Sequence, residues 1–348
     1  MKKIKLYVCD RLCNNIDSFL KRFCLAELKS EYELIWDCKE PDYLLATEHI
    51  YYYPKCMNEF KKLYSKTKIT IFWAGECIFP DMNMFDYAIC WDTSLSLGDR
   101  ICRITPEIFN VFKTNYHTIE TLDEAKNLLK EKKKFCNFIY SNPDAHPMRD
   151  TIFERLSQYK KVDSLGKHLN NVSRMGGTGF SGHEQETTFL KEKYRFSIAV
   201  ENAIYRGYTS EKLMTSLQAH TVPIYWGNPD VESEYNEKAF INANKFKTLD
   251  DLVDYIKRID QSEEFWCEFI CEPMQTEQQK KNTTERIKKY KDFFRHIFEQ
   301  TLEEAKRKPE GYHPSKYRKF FFLPNNMWIL SIQECKRNIK NYLKKIYR

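Results

Sequence analysis

The chain has 348 residues, 42% apolar, 15% aromatic and 30% charged, a composition that excludes wholesale disorder and fibrous repeats and is long enough for two domains. Its formal charge of +7 is unevenly placed: from Arg307 onward there are eleven Lys/Arg against two Asp/Glu, while the preceding 306 residues carry 45 against 47. A slightly acidic body argues against a basic nucleic-acid-binding body, which needs clustered cations over its docking surface, and leaves a basic tail to be explained.

No apolar run reaches the roughly 18 residues of a membrane span, and the start, MKKIKLYVCDRLCNN, meets Cys9, Asp10 and Arg11 before any signal-length stretch. The expectation is therefore a cytoplasmic protein. Twelve cysteines are spread along the chain, and the closest pairs, Cys9/Cys13 and Cys267/Cys271, have CxxxC spacing, which fits reduced, apolar packing better than zinc or redox chemistry.

In chain order, short apolar runs alternate with helical periodicity, the signature of an α/β layer fold. Strands are expected at Ile4–Val8, Tyr32–Trp36, Tyr43–Ala46, Ile69–Trp73 and Tyr87–Cys90, with helices at Ile16–Lys29 and Leu122–Lys133. The alternation restarts with strand Phe135–Tyr140 and helix Arg149–Tyr159. It continues through strand Phe196–Val200, helix Glu211–His220, strand Val222–Tyr225 and helix Leu249–Arg258. This places a first α/β domain at residues 1–133, a second at 134–310, and a basic amphipathic tail at 311–348, with a ligand cleft expected between the two domains. An apolar face of Ile287, Tyr290, Phe294, Ile297 and Phe298 marks one further helix. In the tail, Ile332, Cys335, Ile339, Leu343 and Ile346 oppose Lys336, Arg337, Lys340, Lys344 and Lys345.

Gly177-Thr-Gly179-Phe-Ser-Gly182 satisfies GxGxxG, but the polar KHLNNVSRMG before it is no strand, so a surface loop is preferred to a dinucleotide fingerprint. The informative stretch is Tyr194–Phe246. An apolar strand runs into Glu201-Asn202, a polar loop follows, and Thr209-Ser210 precede a helix whose first turn holds Glu211 and Lys212. A helix amino end with an adjacent lysine suits a phosphate. Glu211 can accept from sugar hydroxyls, or it can simply offset the helix dipole or complete a cap.

These residues resemble the donor-binding signature of the α-1,3-fucosyltransferases, glycosyltransferase family 10, particularly the bacterial members. The resemblance is carried by Val200-Glu201-Asn202, Tyr208-Thr209-Ser210-Glu211-Lys212 and Val222-Pro223-Ile224-Tyr225-Trp226-Gly227. Val200 and Ser210 stand where the family more often has Phe and Thr. Upstream, Ser141-Asn142-Pro143 followed by Arg149 is similar to the start of the family's donor domain, and Phe72-Trp73-Ala74-Gly75-Glu76 to a stretch of its acceptor domain.

The resemblance implies two Rossmann-like domains facing a cleft, the GT-B type, with a helical carboxyl-terminal extension. It further implies inverting transfer of L-fucose from GDP-fucose to a glycan hydroxyl, such as O3 of N-acetylglucosamine in an N-acetyllactosamine-type or lipid-linked acceptor. Glu76 is then the general base. Arg149 and Lys212 compensate the departing GDP, Asn202 and Tyr208 position the pyrophosphate, and Glu211 binds ribose or fucose; Glu201 is a second carboxylate that could stand nearer the reacting carbon. No Asp-x-Asp occurs, so no metal ligand is assigned and no cofactor is required, a divalent ion being left only a stimulatory role. Another nucleotide sugar, or a non-catalytic peripheral protein, are the alternatives. The tail from Asn326 either packs on the body or meets an anionic membrane surface, while Phe320–Leu323 is expected to pack. Within the body, local cation is expected only at Arg149 and Lys212.

Overall fold

A computed structural model describes residues 1–105, 108–111, 117–172 and 183–322. The described residues form two compact units: Met1–Cys90 with Leu95–Ile104 and the described residues from Lys288 on, and Trp91–Ser94 with Thr105–Ile287.

The first unit is built on a six-stranded, wholly parallel sheet. Its strands are β1 (Lys2–Cys9), β2 (Tyr32–Trp36), β3 (Tyr43–Thr47), β4 (Ile69–Trp73), β5 (Tyr87–Cys90) and β6 (Ile101–Arg103), in the order β2-β1-β3-β4-β5-β6. β3, β4 and β5 are buried at every position, which is why their sequences read as continuous apolar runs rather than alternating ones. The helix expected over Ile16–Lys29 is two helices, Ile16–Arg22 and Leu28–Glu31. Between them Cys24 takes a φ of 54°, a left-handed conformation that a continuing helix does not accommodate.

The long helix Glu277–Glu299 belongs to the first unit from Lys288 on, so the expected assignment of residues up to 310 to the second domain is corrected. Its aromatic face explains why. Tyr290 meets Trp73 edge-on at 5.4 Å and donates to the Phe23 carbonyl at 2.7 Å; Phe298 lies between Tyr32 and Tyr43 at 5.6 and 5.0 Å. Arg295 adds a two-pronged bond to Glu31, 2.8 Å on each oxygen. The first cations of the basic tail are likewise structural. Arg307 pairs with Asp99 at 2.7 Å, and Lys308 with the buried Asp86 at 3.1 Å. Phe322 rests on Phe60 and Tyr64, and its carbonyl accepts from Lys61 at 2.7 Å. The stretch from Asn326 lies outside the described residues, as does the Gly177–Gly182 loop. Among the described residues no helix is long and apolar enough to cross a membrane.

The second unit carries a five-stranded parallel sheet: β7 (Lys134–Phe138), β8 (Val162–Ser164), β9 (Tyr194–Val200), β10 (Val222–Trp226) and β11 (Ile241–Asn242), in the order β11-β10-β9-β7-β8. Phe138, Phe196, Val200, Ile224 and Trp266 pack on one face; Leu213, Met214, Leu217, Tyr225 and Phe240 pack on the other. Thr105–Lys133 belongs to this unit and not to the first, because the helix Leu122–Glu131 buries Ala125 and Leu129 in its core.

Candidate functional site

β9 is the central strand, and its chain leaves the sheet at Glu201, on the carboxyl edge where open parallel sheets hold ligands. Glu201 is fully buried. One carboxylate oxygen accepts from the Ser210 amide at 2.8 Å, the other from the Ser210 hydroxyl at 2.5 Å and faces the Lys212 ammonium at 3.4 Å. Burial raises its pKa, and Lys212 only partly opposes that rise. Gly227 makes room for it: a Cβ there would stand 2.4 Å from Glu201 Cγ, and its φ of 154° is one that side chains rarely adopt. Gly227→Ala is therefore expected to destabilise the unit by about 1–3 kcal/mol, visible as a lowered Tm in thermal melts, and to weaken binding at this edge.

Glu201 in turn shapes the start of the helix Glu211–Gln218. Ser210 is its N-cap residue, but the hydroxyl makes no capping bond back to the helix. It donates to Glu201 and accepts from Lys212 Nζ at 2.7 Å. Lys212 also reaches Glu211 at 3.3 Å, and its side chain is 14% exposed, so its charge is held at the helix's amino end. Burial acts upward on Glu211, yet Lys212, Lys191 and hydrogen bonds prevail, and its pKa lies below the usual carboxylate value. Just before the helix, Gly207 (φ 83°) donates to Asn228 Oδ1 at 2.7 Å, and a Cβ on it would meet the Trp91 carbonyl at 2.2 Å. Tyr208 is buried against the Trp91 ring at 5.5 Å.

Arg149 approaches from the first turn of the helix Met148–Ser157. A lone arginine in a helix's first turn is ordinarily solvated, whereas this one is 1% exposed. Its guanidinium lies over the Tyr140 ring at 4.5 Å and donates to the Asn142 carbonyl at 2.6 Å and to Asn202 Oδ1 at 3.4 Å. Nε has no hydrogen-bond acceptor among the described residues; the nearest carboxylate oxygen, on Asp150, is 3.6 Å away. A buried, charged N–H without an acceptor is costly, and an anionic ligand is the natural partner for it. Tyr140 ties the arrangement to the sheet, accepting from the Val200 amide at 2.7 Å, and the backbone of Asn202 accepts from His146, whose ring lies against Trp226 at 4.3 Å.

Arg149, Glu201, Asn202, Tyr208, Glu211 and Lys212 thus all belong to the second unit. Arg149 and Asn202 join directly, as do Glu201, Ser210, Lys212 and Glu211. Glu76 stands in the first unit, exposed, beyond the carboxyl end of β4. The turn before it is anchored by the buried Glu48, which accepts from the Gly75 amide at 2.9 Å and whose own pKa is raised by burial. Glu48 and Lys191 carry no local signal in the sequence, and Tyr140 reads there only as the end of a strand. Asn228, directly after the Tyr-Trp-Gly string, could have been found by position.

The expectation that the body concentrates cation only at Arg149 and Lys212 is corrected. A cavity of about 560 Å³ at the opposite, amino edge of the second sheet is lined by Lys126, Lys130, Lys133, Lys160 and Arg195, among others. Part of that charge is already neutralised, since Lys160 and Arg195 both pair with Asp260. Among the described residues no group of three or more His, Cys, Asp or Glu side chains could hold a metal ion.

Two parallel α/β units, one with an anion-suited helix start at its sheet's carboxyl edge, define an open, parallel α/β class of architecture. Residues 129–314, just over half of the chain, match the carboxyl-terminal domain of glycosyltransferase family 10 (fucosyltransferase), and the chain belongs to that family. It is 33% identical over 199 residues to a putative fucosyltransferase of Acanthamoeba polyphaga mimivirus, a match covering 56% of this chain and 32% of the relative. To the α-(1,3)-fucosyltransferase FucT of Helicobacter pylori it is 29% identical over 236 residues, covering 59% of this chain and 47% of that one. The chain thus spans about a third to about a half of the length of these relatives. Crystal structures of an α1,3-fucosyltransferase share the fold, with TM-scores of 0.63 with GDP-fucose and 0.66 with GDP. Identity is 22% in both, over 86% and 88% of this chain and 92% and 93% of the other. The GT-B type of fold expected from the sequence is therefore the fold of this protein.

Proposed function

We propose that this chain transfers L-fucose from GDP-fucose to a glycan hydroxyl with inversion of the anomeric centre. The observation that carries the reading is the buried guanidinium of Arg149, whose Nε lacks an acceptor among the described residues, in the same unit as Lys212 at the amino end of the Glu211 helix. Two cations and a helix start suit a diphosphate, and they compensate the charge that gathers on GDP as the glycosidic bond breaks. Family membership and the GDP-fucose and GDP complexes of the solved fucosyltransferase favour guanosine and fucose over other donors.

In this scheme Asn202 and Tyr208 position the pyrophosphate side, Asn202 by holding Arg149, and Glu211 accepts from ribose or fucose hydroxyls. Glu201 seats Ser210 and Lys212; buried and with both oxygens so engaged, it is less open to an acceptor hydroxyl than the exposed Glu76. A single displacement needs one base for the acceptor proton and no covalent sugar intermediate, and Glu76, held beyond β4 by the Glu48–Gly75 bond, fills that part. The acceptor proposed is O3 of N-acetylglucosamine in an N-acetyllactosamine-type glycan. Nucleotide release from GDP-fucose, GDP-mannose and UDP-sugars in the presence of such glycans tests the donor. Release is expected with GDP-fucose alone; equal or faster release from another donor would replace fucose in this reading.

A further inference from the structure

Lys191, the last residue of the helix His183–Lys191, is a lysine in the interior, 3% exposed. All three of its donors are spent on the Glu211 helix: the Lys212 carbonyl at 3.2 Å, Thr215 Oγ1 at 2.8 Å and Ser216 Oγ at 2.9 Å. Thr215 and Ser216 pass these bonds on to the Glu211 and Lys212 carbonyls, and Ser216 to Ser197 on β9. Among the described residues no carboxylate stands within ion-pair distance of it. An ammonium so placed is an expensive way to brace a helix that an apolar side chain could also pack. What a cation adds beneath the helix's first turns is positive potential at the end where an anion would bind, and there it reinforces Lys212 and the helix dipole.

Resting on the donor-site reading above, we infer that Lys191 is a positioning residue and a third cation of that site, and that it takes up a proton when the diphosphate binds. The charged groups acting on Lys191 are Glu211 and Lys212 on the Glu211 helix and Glu201 beyond β9; the carboxylates favour the ammonium and Lys212 opposes it. Burial outweighs them and brings its pKa down to about 7 in the ligand-free protein. A bound diphosphate favours the charged form and raises that value. The sign follows: below pH 7 the ammonium is already present and binding is at its strongest. Affinity is lost as the pH rises from 7 toward the bound-state pKa, by up to about tenfold per pH unit. A terminal phosphate, titrating near pH 6, contributes little to that window.

The test is calorimetric titration of the full chain with GDP between pH 6.5 and 9, in buffers of different ionisation enthalpy, for the wild type, Lys191→Arg and Lys191→Met. The wild type is expected to take up protons above pH 7 and to lose about tenfold or more in affinity by pH 9. Lys191→Arg, whose guanidinium stays charged, should bind without that uptake and with a flat profile, and Lys191→Met should be weak and flat. Lys132, buried, with a pKa also lowered to about 7 and donating to the Ala219 carbonyl at the far end of the same helix, is present in all three proteins and cancels in the comparison. Equal slopes and equal proton uptake in wild type and Lys191→Arg would overturn the inference. Absence of GDP binding by the wild type at every pH would instead overturn the donor-site reading on which it rests.

Discussion

Glu76→Ala is expected to lose transfer by about 10²- to 10⁴-fold in kcat while GDP binds as in the wild type. The separation follows from placement. Glu76 lies in the first unit, on the exposed turn beyond β4, whereas the residues assigned to the nucleotide all lie in the second. Removing an exposed side chain also leaves the fold intact, so the thermal midpoint should move by little. Glu76→Gln should be as inactive as Glu76→Ala, because an amide fills the same space and cannot take a proton. Steady-state rates with GDP-fucose and a glycan acceptor, alongside GDP titrations, separate the two effects. Near-normal transfer by either variant would remove Glu76 from the role of base.

The second large effect is expected of Arg149. Arg149→Ala should weaken GDP binding and lower kcat by about 10²- to 10³-fold, the range found when a donor to developing charge is removed. Unlike Glu76, this residue also supports its surroundings: the guanidinium covers Tyr140 and bonds Asn142 and Asn202. The alanine variant should thus lose a few kcal/mol of stability as well. Arg149→Lys distinguishes the roles. It keeps the charge but not the planar fork, so it is expected to regain much of the stability and little of the rate. Kinetics and melts on both variants check this, and an Arg149→Lys protein with full activity would reduce Arg149 to a bulk cation.

Much of this was legible in the sequence because the relevant residues are contiguous. Val200-Glu201-Asn202 and Tyr208–Lys212 sit on one strand end and one helix start, and each reads as a string. Of the twelve helices and strands expected between Ile4 and Tyr225, eleven have counterparts of the same kind, apart from small shifts at their ends, and the twelfth, Ile16–Lys29, is split in two. What stayed hidden was decided by tertiary contact. β6, β8 and β11 are three, three and two residues long, too short for a period to register, and exist by pairing with longer neighbours. The apolar face of Glu277–Glu299 announces a helix but not which sheet it covers. Arg149 was found through the Ser-Asn-Pro turn, yet its burial depends on Tyr140, which reads only as the end of a strand. Lys191 looks like an ordinary helix-terminal lysine, since nothing local distinguishes a solvated ammonium from one enclosed by Thr215 and Ser216.

The proposed transfer of fucose from GDP-fucose to a glycan hydroxyl in one inverting step is open to a direct check by NMR of the product. After incubation of the full chain with GDP-fucose and N-acetyllactosamine, the anomeric coupling and linkage of the new sugar are read together with the GDP released. An α-linked fucose on O3 of N-acetylglucosamine, formed one for one with GDP, is expected. A β-linked product, or GDP-fucose left intact by a protein that is folded and saturated with acceptor, would contradict it.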